Sequence, residues 1–140
     1  MPTLHISAHA DPDHVRLLGT AFRAVAQTIT SAQQAAQLEL AVVEACNNIV
    51  EHAYAEHAGS IEMDILVLED KIVVTLQDTG LSMPASSLCE PPLDQIEHMN
   101  LDALPEGGFG LFLIRSIMDN HEYTSANGIN TLTLTKYLIS

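Results

Sequence analysis

ELAVVEACNNIVEHAY, from Glu39 to Tyr54, is the most informative stretch of the sequence. Leu38, Ala41, Val42, Ala45, Ile49 and Ala53 recur at helical spacing, which predicts a helix with one apolar side turned inward. Ser31 can cap this helix, the pattern carries it to about His57, and Gly59 can end it. Glu44 and Asn48 interrupt the apolar pattern. They are four residues apart and so share a side of the helix, with Cβ atoms about 5–6 Å apart. Asparagine is a weak helix former and needs a partner where it is buried. An amide oxygen is a hard ligand suited to Mg²⁺, and a carboxylate beside it can accept a proton from a hydroxyl. Taken alone, the pair also fits a solvated helix face.

Before this helix, residues 3–8 alternate Leu4, Ile6 and Ala8 with polar residues and predict a first strand. Residues 10–12 break it, and Asp13 can cap a helix over about 14–28 with Val15, Leu18, Phe22, Val25 and Ile29 inward. Beyond it, residues 61–68 and 71–77 read as two strands joined at Glu69-Asp70. The pattern dissolves over 80–107, which holds Pro84, Pro91, Pro92 and Pro105. A loop of that length in a small domain is usually functional. Residues 110–120 predict a third helix with Leu111, Ile114, Ile117 and Met118 inward. Residues 122–125 and 131–138, about an Asn127-Gly128 turn, close with a hairpin. This order predicts an α+β sandwich, with helices on one face of a mostly antiparallel sheet.

Two further motifs sit at ends of these elements. Asp78-Thr79-Gly80 follows a strand. An aspartate there can accept a hydrogen bond from an exocyclic amine such as adenine N6, and a glycine lets a ring approach the backbone. Such turns are common in their own right. Gly107-Gly108-Phe109-Gly110-Leu111 opens the third helix. Bare N–H groups at a helix N-terminus favour phosphate oxygens, although the same residues suit a hinge.

The 140 residues, 47% of them apolar, suit one globular domain spanning 1–140. Apolar runs such as 111–114 are too short to span a membrane. The start, MPTLHISAHA, does not read as a signal peptide. Cys46 and Cys89 lie far apart and form no metal-type pair, so a reducing cytoplasm is expected. Eighteen acidic residues against five basic ones give a net charge of −13, which opposes direct nucleic-acid binding. With so few cations, a bound nucleotide's phosphates would need backbone N–H groups, a helix N-terminus and a metal.

The order of these motifs is helix E-x-x-x-N, strand-end D-x-G, long loop, then G-x-G opening a helix, and it resembles the GHKL ATPase superfamily. Within it, the chain resembles the bacterial anti-sigma-factor serine/threonine kinases. ELAVVEACNNIVEHAY is similar to their N-box helix, with His52 and Tyr54 after the asparagine. GGFGLFLIRSIMDNHEY (107–123) is similar to their G2 box, and NTLTLTKYL (130–138) to their last strand. The resemblance spans essentially the whole chain and implies a Bergerat-type two-layer sandwich. It implies that Glu44 is the general base toward a substrate hydroxyl, that Asn48 coordinates Mg²⁺ and that Asp78 receives adenine N6 beside Gly80. It implies phosphate contacts from Gly107, Gly108, Gly110 and Leu111, an ATP lid over about 81–106, and adenine-side support from Thr131 or Thr133. Arg16 is similar to a partner-contact arginine. The implied partners are an anti-anti-sigma STAS-type protein as phosphoacceptor and a sigma factor or equivalent regulator, and homodimerisation stays open. Ser82 departs from the family's D-x-G-x-G, standing where the second glycine would be. Glu44 and Asn48 are untouched by this change.

Other readings are weaker. A module that uses ATP only to hold or release a partner has no need of a base at Glu44. The catalytic half of a histidine kinase would come with a dimerising helix pair. His9, Asp11, Asp13 and His14 crowd one loop, where capping explains them better than metal binding. Cys46 reads as a small core residue.

Overall fold

Alternation divides this molecule into layers. β2 (Ser60–Val67) buries Ile61, Met63 and Ile65, and β3 (Lys71–Asp78) buries Ile72, Val74, Leu76 and Asp78. A strand places successive side chains on opposite faces, so each strand has one apolar face to cover. The computed structural model describes residues 3–54, 58–82 and 108–138, with the backbone alone at 108–111. In it, β1 (Thr3–His9), β2, β3, β4 (Asn120–Ala126) and β5 (Ile129–Tyr137) form one sheet in the order β1-β2-β3-β5-β4. Every pairing is antiparallel. The β4–β5 turn falls at Asn127-Gly128, with φ of 56° and 77°, the left-handed pair that a two-residue hairpin of this hand requires.

Among the described residues, three helices cover the apolar face: α1 (Pro12–Ala26), α2 (Ala32–Asn48) and α3 (Gly108–Ile117). α2 is central, packed against both α1 and α3. The residues predicted inward on α2 and the turn that follows it, Leu38, Ala41, Val42, Ala45, Ile49 and Ala53, are all buried. They join Val15, Leu18 and Phe22 of α1 and Ile114 of α3 in one core. Each fully buried side chain of that size is worth about 1.5–3 kcal/mol relative to exposure. This is the expected α+β sandwich.

Two boundaries differ from expectation. Asp11, not Asp13, caps α1, accepting from the His14 N–H at 2.8 Å. Pro12, expected to break the chain, sits in the first turn, where its missing N–H costs nothing. The second helix does not continue as α-helix to about His57. It becomes a π-helical turn over Ile49–Ala53, closed by the Tyr54 N–H on the Ile49 carbonyl at 3.2 Å. A π-turn admits one extra residue and so re-aims the residues beyond it.

The other face of the sheet is polar, as antiparallel sheets permit. Thr75, Gln77, Thr131 and Thr133 lie on it. At its β1 edge, the two ring nitrogens of His5 lie 2.8 Å from Asp64 and 2.9 Å from Glu62. The Asp64 hydrogen bond holds the imidazole above its ordinary range. No helix among the described residues is long and apolar enough to cross a membrane.

Candidate active site

A cleft opens where the end of α2 and its π-turn meet the ends of β3 and β5. Ala45, Asn48, Ile49 and Ala53 form its helical wall. Asp78, Tyr123 and Leu132 form its sheet wall, and Leu81 lies at the rim. Counting its mouth, it encloses about 370 Å³. Its lining is nearly all apolar, as in small-ligand sites. Asn48 and Asp78 are the polar exceptions, each 6% exposed.

Asn48 sits in the last turn of α2, and its side-chain amide makes no hydrogen bond to the described residues. Among those residues no sealed side-chain polar atom lacks a partner, so the amide must reach the cleft. An amide oxygen lining an apolar cleft is a group that a hard cation or a polar ligand could use. Glu44 lies one turn earlier on α2, partly buried and outside the cleft lining.

Asp78 is the last residue of β3 and continues its inward register. Its Oδ1 accepts from the Gly80 N–H at 3.0 Å and from Asn130 Nδ2 at 2.7 Å. Burial pushes its carboxyl above the ordinary 3.8, and the Asn130 and Gly80 hydrogen bonds pull it back. Asn130, opposite Asp78 in the β3–β5 ladder, is 2% exposed. Its Nδ2 also reaches the carbonyls of Gly80 at 3.0 Å and Leu81 at 3.3 Å, and its Oδ1 accepts from Ser125 at 2.7 Å. Sequence reasoning missed this residue. The signal was present: Asn130, Leu132 and Leu134 alternate, so the asparagine occupies a core-facing place.

Gly80 packs against the π-turn, where an added Cβ would stand 2.3 Å from the Ala53 carbonyl oxygen. Gly108 and Gly110 form the first turn of α3, and Leu111 follows in that helix. Gly107 and nearly all of the expected lid, 83–106, lie outside the described residues, and Ser82 is exposed at the last described position before them. Thr131, expected on the adenine side, is not among the residues lining the cleft: the strand turns its side chain to the polar face, where its hydroxyl lies 3.4 Å from Gln77 Nε2. Thr133, two residues on, shares that face. Arg16 is exposed on α1 and paired with Asp13 at 2.6 Å. The structure thus unites Asn48, Asp78 and Gly80, sets Glu44 one turn away, and leaves Thr131 and Arg16 elsewhere.

A family model of the histidine kinase-like ATPase domain matches residues 8–136, and the chain belongs to that family. Membership implies an ATP-binding domain. The serine-protein kinase RsbW of Bacillus cereus is 36% identical over 101 residues, covering 72% of this chain and 62% of that protein. RsbW of Bacillus mycoides is 35% identical over the same length and shares. The chain therefore spans less than two thirds of the length of these curated relatives. The crystal structure of the RsbU and RsbW domains of a Mycobacterium tuberculosis protein superposes with a TM-score of 0.67 at 20% identity, over 97% of this chain and 32% of that one. A blue-light activated histidine kinase of Erythrobacter litoralis gives 0.56 at 19% identity, over 78% and 32%. These two show a shared fold.

Proposed function

We propose that this chain is an ATP-dependent protein serine/threonine kinase that phosphorylates an anti-anti-sigma STAS-domain protein and acts as an anti-sigma factor in bacterial partner switching. The observation that carries this is the pair of buried polar side chains, Asn48 and Asp78, in an otherwise apolar cleft of an ATPase-family fold. The relatives named serine-protein kinase RsbW support the reaction class.

In this reading the apolar cleft takes the adenine ring, and Asp78 accepts a hydrogen from its exocyclic amine. Gly80 keeps the turn beside the ring narrow. Backbone N–H groups of Gly107, Gly108, Gly110 and Leu111 are the proposed phosphate contacts, since a helix N-terminus favours anions. The amide oxygen of Asn48 fits Mg²⁺, which when bound would neutralise phosphate charge. Phosphoryl transfer has a loose transition state, so positioning and charge balance carry most of the catalysis. Glu44 takes the proton from the acceptor hydroxyl. Arg16, exposed on α1, is the proposed partner contact, and the proposed setting is the cytoplasm.

The test is incubation of the chain with γ-labelled ATP, Mg²⁺ and a candidate STAS protein. Label should move to a serine or threonine of the partner. Glu44→Ala should slow transfer by about 10²–10⁴-fold, the usual worth of a positioned base, with ATP affinity nearly unchanged. Transfer at full rate in the variant would remove Glu44 from its role. ATP binding without transfer would favour a sequestering module instead.

A further inference from the structure

Resting on the nucleotide site proposed above, we infer that Tyr54 is a positioning residue for that site, its phenol tying the helix that carries Asn48 to the turn that carries Asp78. Asn48 and Asp78 belong to different layers, and no hydrogen bond joins them among the described residues. Their separation depends on how the π-turn docks against residues 79–81.

That docking is made by two adjacent residues. The Ala53 carbonyl accepts from the Leu81 N–H at 2.9 Å. The Tyr54 hydroxyl accepts from the Thr79 N–H at 2.8 Å, donates to the Ser60 carbonyl at 2.9 Å and lies 3.3 Å from Thr79 Oγ1. Thr79 is the residue after Asp78, so the phenol grips the backbone next to the carboxylate. The ring has no slack. Tyr54 is 9% exposed, and a Cβ on Gly59 would fall 2.2 Å from its Cε1. The π-turn explains the aim: one extra residue rotates the chain beyond it by about 100° relative to an uninterrupted α-helix.

The Tyr54→Phe variant keeps the ring under Gly59 and removes the oxygen. Adenine-nucleotide affinity should fall about 3- to 10-fold for ADP and ATP alike, as expected for one hydrogen-bonded positioning contact. In the kinase assay the change should appear in the KM for ATP, with kcat little altered. Titration calorimetry well below the melting temperature separates this from a loss of folded protein. Tyr137→Phe, an exposed tyrosine on β5, is the matched control and should bind as wild type. Equal affinity of Tyr54→Phe and wild type would overturn the inference. If the variant does not fold, amide exchange at Thr79 in the wild-type chain serves instead. Protection that deepens with ADP supports the tie, and exchange at an unprotected rate overturns it. If wild type binds no adenine nucleotide, the proposed function falls first and takes this inference with it.

Discussion

Asp78 carries a cost of burial and, in the proposed reading, a role in binding adenine. Its carboxyl is raised by burial, so between 3.8 and its folded value the native state holds more protons than the unfolded one. Stability from this group is therefore fully present below 3.8 and is lost as pH rises through the folded value. Asp78→Asn keeps an oxygen for Asn130 and Gly80 and removes the buried charge. At pH 7 the variant should melt no lower than wild type, and any advantage should vanish as the pH is taken to about 4, which thermal melts across pH would check. Its ATP affinity should fall at least tenfold, about 1.4 kcal/mol, because an amide nitrogen cannot accept from an exocyclic amine. A lower melting temperature at pH 7 would mean the hydrogen bonds, not the charge, dominate there. Cys46 is a contrasting buried group. Burial alone pushes its thiol up to about 12, which leaves it an inert core residue.

Among the elements, the site is a junction between a π-turn and a strand end. Sequence periodicity continued α2 through residues 49–53, because the apolar spacing of Ile49 and Ala53 fits either kind of helix. What selects the π-turn is tertiary: the Ala53 carbonyl and Tyr54 hydroxyl are taken by residues 79–81 of the neighbouring layer. Gly80→Ala tests the junction. The new Cβ would meet backbone atoms of Ala53 at 2.3 and 2.6 Å, and backbone cannot rotate away as a side chain can. A loss of about 1–3 kcal/mol in urea unfolding is expected, typical of overpacking, together with weaker nucleotide binding. Full retention of both would show that the turn has room to move.

Over the molecule as a body, the charge balance makes a demand on the site. None of the five basic residues lines the cleft. Arg16 pairs with Asp13, Lys71 lies over the Tyr137 ring, and Lys136 faces Asp119 at 3.6 Å. In the proposed reading, a triphosphate entering a chain of net charge −13 would therefore be offset by backbone dipoles and a divalent cation. Chelating Mg²⁺ should weaken ATP binding more than tenfold, about 1.4 kcal/mol, while leaving adenosine binding nearly unchanged. Calorimetry with both ligands checks this. Equal sensitivity of adenosine would point to a structural effect of the metal instead.

The layer architecture, the inward face of the central helix, and the placing of Glu44 beside Asn48 were all legible in the sequence. They arise from local periodicity, which a chain of 140 residues repeats often enough to read. The strand-end turn marked Asp78 and Gly80 in the same way. The partners of these residues emerge only in the folded chain. Asn130 reaches Asp78 because the β3–β5 register sets the two opposite each other. Tyr54 grips Thr79 through contacts 25 residues apart in the chain. Such pairings depend on how the layers dock, and residue spacing along the chain carries no record of that.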